Sequence, residues 1–388
     1  MTININTYEF IQKIQAIREV SRKISHLVNF FSKNFVVVHS SNNVEKPIDM
    51  RIAAIDGSLY KEEKSFITSI IVSGYVYVFG RSKKSTYTVP VTIEPDIFPP
   101  SYSSLASTIK MKILEYKLAL YTLVQFEEVL GEHLDYILLD GSITFPETLP
   151  GNLPQSVKNL YENYKREATY LFRKAEKYKV GVISISKDPY TVKYLRSLKR
   201  LKKGIRIPKS YVEVSNILKK IDEYYIDLLG EERYFNPDNP ASLPERYLVK
   251  KAFEKVLKES RESFAFIRTL STEVTAGLRD ILIEIEPLQD NTIGFYCFSP
   301  KRTLSDIKPL FVEFGGWLDH DKVINDIVHL FYFSATGYPT PLLMAHKIVK
   351  LTARKAKYIL RYIKLMSEKE GFSFNEFLVD KFREGEFL

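Results

Sequence analysis

A chain of 388 residues with 45% hydrophobic and 27% charged side chains is long enough to bury a large core, and this ordinary composition excludes long disordered tails. Its single cysteine, Cys297, excludes an internal disulfide and any zinc centre built on several thiolates, which fits a reducing cytoplasm. The formal charge of +9 favours an acidic partner, and no stretch reaches the roughly 20 uncharged apolar residues of a membrane helix, so a soluble cytoplasmic protein without membrane contact is expected.

The opening MTININTYEF lacks a basic segment followed by an apolar one, so no secretory signal is expected. Residues 5–33 read as an amphipathic helix, with Ile11, Ile14, Ile17, Ile24, Leu27 and Phe31 on one stripe, inside an N-terminal helical extension over 1–45. After Pro47 the run MRIAAIDGS reads as a short buried strand closed by Gly57, which puts Asp56 at a strand end. Residues 66–80 and 86–93, rich in Ile, Val, Tyr and Thr, read as a meander that Pro95, Pro99 and Pro100 then break. A long helical pattern runs from Tyr102 to Leu130, and Gly131 is its stop.

The run DYILLDGS is a second buried strand, ending at Asp140 and repeating the Asp-Gly-Ser of the first. A helix near 155–178 and a third strand, VGVISIS before Lys187, follow. Strands alternating with helices and apolar along nearly their whole length point to an α/β sheet covered on both faces. Residues 191–290 read as a charged, mostly helical insertion. Strand patterns return at 292–298 and 308–314, and two or three helices follow Asp319. The expected organisation is therefore a core over 46–190 and 291–350, with C-terminal helices over 351–388.

Between Lys187 and Lys209 lie Lys193, Arg196, Lys199, Arg200, Lys202, Lys203 and Arg206 with one acid, Asp188. Such a one-sign block is suited to gripping phosphates, with binding that weakens steeply in salt.

Asp-Gly is a favoured turn dipeptide, so either Asp-Gly-Ser taken alone reads as a turn. Two carboxylates at neighbouring strand ends are different, because they repel unless a divalent cation lies between them, and hard oxygen ligands suit Mg²⁺ or Mn²⁺. The order of elements is that of a ribonuclease-H-like mixed sheet flanked by helices. In such folds a third carboxylate comes from the helix between the meander and the second acidic strand, where Glu115, Glu127 and Glu128 are candidates. Glu115 stands about 24 Å up that helix from its end and Glu127 about 6 Å, whereas Asp140 is roughly 16 Å up its strand. Neither is level with Asp140, but Glu115 is on the exit side, and it is preferred.

The strings AIDGS around Asp56, ILLDGS ending at Ser142, ISISKD around Lys187 and GYPTPLLMAH from Gly337 to His346 resemble, in order, the motifs of the NurA nuclease family. The resemblance spans residues 52–346. It implies a ribonuclease-H-like fold, Mn²⁺-dependent 5′–3′ cleavage of DNA with single-stranded endonuclease activity as a further possibility, a homodimer, and partnership with a hexameric HerA-type translocase in end resection for double-strand break repair. Carried over by motif, Asp56 and Asp140 become metal ligands, and Lys187 and His346 become active-site residues. Two metals about 4 Å apart suit in-line phosphodiester cleavage, with Asp56 as the bridge. Lys187 would neutralise charge on the phosphate, and His346 would bind a metal or protonate the leaving group. A non-catalytic DNA clamp or a translocase cap, and another ribonuclease-H-like phosphodiesterase, are the rival readings. His320 and His329 read as structural, and Tyr296, Phe298, Trp317, Tyr332 and Tyr338 receive no role in a chain whose many aromatics mostly fill its core.

Overall fold

The computed structural model describes residues 28–30, 32–39, 49–63, 68–80, 92–98, 102–143, 153–187, 242–261, 264–270, 292–298, 309–315, 317–332 and 337–370, with the isolated positions 15 and 25. Most of the expected N-terminal helix and the block from Lys193 to Lys209 lie outside them.

In chain order the elements are β1 (Val37–His39), β2 (Ile52–Glu63), β3 (Thr68–Phe79), β4 (Thr92–Phe98), α1 (Ser103–Val124) and β5 (Tyr136–Asp140). They continue with α2 (Gln155–Tyr178), β6 (Gly181–Ser186), α3 (Ser242–Ser260), β7 (Phe264–Leu270), β8 (Thr292–Phe298) and β9 (Leu310–Phe314). The helices α4 (His320–Tyr332), α5 (Thr340–Val349) and α6 (Ala353–Lys369) close the described chain. Among the described residues, nine strands join one mixed sheet in the order β1-β7-β8-β9-β6-β5-β2-β3-β4. The pairs β2–β5 and β5–β6 are parallel, and the remaining pairs are antiparallel. This is the mixed α/β sheet flanked by helices that the strand and helix patterns imply.

The central strands are apolar on both sides because both sides are covered. Ala53, Ile55, Ile137, Leu139 and Val182 join the core under α1 and α2. Ile52, Ala54, Leu138, Ile183 and Ile185 join a second core with residues of α4 and α5. Helix α1 passes into a π-helical turn, Gln125–Leu130, and stops at Gly131, whose φ of 63° is the left-handed cap expected there.

Three expectations change. Asp56 is not at the end of a strand: β2 runs on to Glu63, and Asp56 sits within it opposite Tyr75. The antiparallel ladder to β3 carries β2 past Gly57, so this Asp-Gly is strand rather than turn. Pro95 does not break the sheet either, because it lies within β4, opposite Ile71 on an edge strand that needs no N–H from it on the outer side. Finally, the region expected to be mostly helical contains α3 but also β7, whose Phe264–Leu270 joins β8 to β1 in the same sheet. Its Phe264, Phe266, Ile267 and Thr269 are aromatic and β-branched residues that suit a pleated surface better than a helix.

Candidate metal centre

Parallel pairing of β2 with β5 runs from Ile52↔Tyr136 to Ile55↔Leu139 and stops. Asp56 is therefore the first β2 residue beyond that ladder, beside Asp140, the last residue of β5. The carboxyl ends of parallel strands are where α/β sheets open into ligand crevices. Strand alternation turns Asp56 to the same face as Ile52 and Ala54, the face covered by α5.

Helix α5 starts behind Pro339, with Pro341 in its first turn, so its direction is set by two fixed φ angles. It carries His346 to Asp56, with Nδ1 2.7 Å from Oδ2. One ligand atom each from Asp56, Asp140 and His346 lie within 4.8 Å of one another, the group among the described residues that is able to hold a metal ion. Asp56 is buried, Asp140 is partly so, and the His346 side chain is 46% exposed, which leaves the cluster open on one side. Burial raises the Asp56 pKa, and the neighbouring Asp140 raises it further, against the opposing pull of His346 and Lys112. A divalent cation between two such acids removes that repulsion, and carboxylate oxygens with one imidazole nitrogen suit Mn²⁺ or Mg²⁺.

Glu115 reaches the same place from the opposite face. A Cβ added to Gly57 would stand 2.6 Å from Oε1 of Glu115, so glycine in the Asp-Gly pair is what lets α1 bring this acid against β2. Glu115 is fully buried, its pKa pushed up to about 7 by burial, against the pull of Lys112 and with further push from Asp56. Its other oxygen accepts a 2.6 Å bond from Lys112 Nζ. Glu127 and Glu128 are elsewhere: Glu127 takes the Leu134 N–H and His133, and Glu128 takes Lys174 and Tyr178. Of the three candidates on that helix, only Glu115 is brought to the aspartates.

Lys187, just past β6, donates to Asp140 Oδ2 at 3.0 Å, and its Nζ lies 4.1 Å from the centroid of the Tyr338 ring. His320 stands at the start of α4 edge-on to Phe314, outside the cluster. His329 lies in the last turn of α4.

Three residues in the site's surroundings have no role in the sequence reading. Tyr338 is buried, and burial together with Asp140 drives its pKa well above the usual phenol value. Its signal was its place eight residues ahead of His346 in one motif. Lys112 donates to both Glu115 and the Asp140 main-chain oxygen; the Lys-x-x-Glu spacing on a helix face was legible, but not its burial. Glu313, on β9, accepts from Ser142 Oγ at 2.7 Å, Ile143 N at 2.9 Å and Ser184 Oγ at 3.0 Å. No local pattern announces that a residue of β9 and a serine of β6 brace the loop behind Asp140.

The fold is similar to the crystal structure of the NurA nuclease from Sulfolobus solfataricus, at 16% identity with a TM-score of 0.53, covering 95% of this chain and 98% of that one. A crystal structure of NurA with manganese matches at 16% identity and a TM-score of 0.43, over 91% and 96% of the two chains. A third, of NurA bound to dAMP and manganese, has 16% identity and a TM-score of 0.40 over 92% and 94%. No curated protein matches. The family model of the NurA domain matches residues 50–351, most of the chain and every residue of the cluster, and this chain therefore belongs to the NurA family.

Proposed function

We propose that this chain is a metal-dependent DNA nuclease. The observation that carries the reading is the convergence of Asp56, Asp140 and His346 within 4.8 Å, beside Lys187 and the buried Glu115. Membership of a family whose structurally similar member is named a nuclease supports it.

Each side chain has a distinct task in this reading. Asp56 and Asp140 hold the cation, with Asp56 the bridge if two ions bind. Bound there, Mn²⁺ or Mg²⁺ would supply Lewis-acid activation of water and charge neutralisation at the scissile phosphate. Glu115 adds negative charge from the opposite face, where Lys112 holds it in place. Lys187, braced between Asp140 and the Tyr338 ring, points an ammonium at the charge that develops on the phosphoryl oxygens. His346, with Nδ1 2.7 Å from Asp56 Oδ2, is open enough to bind the metal or to receive or deliver a proton at the leaving oxygen. Lys193, Arg196, Lys199, Arg200, Lys202 and Lys203 would bind the phosphate backbone of the DNA.

The finer reading is a ribonuclease-H-like core, widened by β1 and β7 of the same sheet, that acts 5′–3′ as a cytoplasmic homodimer with a HerA-type hexameric translocase in end resection. End-labelled linear DNA incubated with Mn²⁺, Mg²⁺ or EDTA tests its chemical centre. Cutting by the wild type that EDTA, Asp56→Ala and Asp140→Ala each abolish is the expected result. A wild type that binds DNA yet cuts nothing in either metal, with the translocase present, would leave a DNA clamp instead.

A further inference from the structure

From His346 to Ser367 the chain carries seven lysines and arginines and no acid. Lys347, Lys350, Arg354, Lys355, Lys357 and Arg361 are all exposed, and among the described residues none of the six forms an ion pair with a carboxylate. This segment begins at the metal cluster itself, since His346 is on α5, and continues through Lys350 directly into α6. Two tyrosines one helical turn apart, Tyr358 and Tyr362, stand 73% and 57% exposed among these cations, with Leu365 beyond them at 58%. Positions 354, 358, 361, 362 and 365 fall on one helix face by their spacings of three, four and seven. A groove of about 460 Å³, lined by Ile93, Ile348, Lys350, Arg354, Lys355 and Tyr358, opens at the start of this face, between the end of α5 and the first turns of α6.

We propose that this α5–α6 face is a second nucleic-acid path, which carries a single DNA strand to or from the metal cluster, with Lys350, Arg354, Lys357 and Arg361 on its phosphates and Tyr358 and Tyr362 stacked on its bases. The inference rests on the nuclease reading for its substrate, but it concerns residues outside the proposed catalytic group and outside the block 193–203. Charge selects the occupant. An acid-free run of exposed cations repels a second copy of itself and attracts a polyanion, and releasing phosphate counterions supplies the affinity. The aromatic rings select a single strand over a duplex, because only unpaired bases present free faces for stacking. Helix α6 is about 25 Å long at 1.5 Å per residue, enough for roughly seven nucleotides at B-form spacing.

Binding of a fluorescent single-stranded 30-mer, measured by anisotropy in EDTA across a KCl series, tests this without any cleavage. The triple variant Arg354→Gln/Lys357→Gln/Arg361→Gln should lower the log–log salt slope by about 2, at about 0.7 per phosphate contact, and weaken binding at low salt. Arg354→Lys/Lys357→Arg/Arg361→Lys should keep the slope. Tyr358→Ala/Tyr362→Ala should weaken binding about fivefold or more with the slope unchanged. Wild-type slope and affinity in a triple variant whose circular dichroism is unaltered would overturn the proposal. So would a tyrosine variant that binds DNA normally but sediments as a smaller species, since the face would then be an interface between copies. A wild type that binds along this face and yet never cuts DNA in metal supports the path while removing the nuclease reading.

Discussion

Lys112 Nζ donates to the main-chain oxygen of Asp140 across 2.6 Å, tying helix α1 to the end of β5 at the residue where the metal cluster begins. The same ammonium is 2.6 Å from Glu115 Oε2, so one buried cation sets the position of two acidic residues on different elements. Because both Lys112 and Glu115 are buried, removing either above pH 7, where Glu115 is ionised, leaves the other without its direct partner. Lys112→Met should cost about 3 kcal/mol of stability, in the range for breaking a buried pair. The double variant Lys112→Met/Glu115→Gln should cost less than the sum of its parts. Denaturant titration of the four proteins gives the coupling, and additive losses would mean that the pair is not acting as one unit.

Glu115 also predicts a pH dependence. Its carboxyl sits at about 7 in the fold against an ordinary 4.5. Between those values the unfolded chain has lost the proton that the metal-free fold still holds, so this group makes metal-free stability fall as pH rises from about 4.5 to 7. A bound cation favours the deprotonated form, which means that metal binding releases the proton and tightens as pH rises through the same window. Calorimetric titration with Mn²⁺ should show affinity climbing between pH 5.5 and 7.5 and levelling above. In Glu115→Gln the climb near 7 should be lost; a climb that survives unchanged would assign it to another group.

Gly57 tests how tightly the acids are packed. An added methyl would meet Glu115 Oε1 and Met111 Cγ, both at 2.6 Å, and Glu115 cannot swing away without leaving Lys112. Gly57→Ala should therefore cost about 1–3 kcal/mol through overpacking, and should reduce kcat more than it raises KM, because the displaced group belongs to the site. Steady-state cleavage rates together with a thermal melt distinguish this from a purely structural loss, in which activity would follow folded fraction alone.

Glu313 is a positioning residue for Asp140. Its Oε2 collects the Ser142 hydroxyl, the Ile143 amide and the Ser184 hydroxyl, so it fixes the turn that follows the aspartate. Glu313→Ala should lose about 1.5–3 kcal/mol for the charge-assisted bonds. Glu313→Gln, whose amide oxygen still accepts, should restore most of the metal affinity even if stability stays reduced. Equal metal affinity in the alanine variant and the wild type would show that Asp140 holds its place without this brace.

Much of the frame was legible from pattern alone. Near-continuous apolar runs such as IAAI and YILL report strands covered on both faces whatever their neighbours are, because burial on both sides demands it. The motif around His346 likewise carried its own start signal in Pro339 and Pro341. Residue types and order therefore determined the central α/β sheet and the two aspartates as a pair, and the rise of the helix already pointed to Glu115 among three acids as the one on the aspartates' side.

Only the tertiary structure decided which atoms meet. Asp56 lies within a strand rather than at its end, because an antiparallel neighbour continues where the parallel one stops. Tyr338, Lys112 and Glu313 enter the site's surroundings from a loop, a helix and a distant strand, and local periodicity carries no information about contacts across such separations. Segment 264–270 joined the sheet for the same reason: strand pairing is a property of two segments, and neither alone contains its partner.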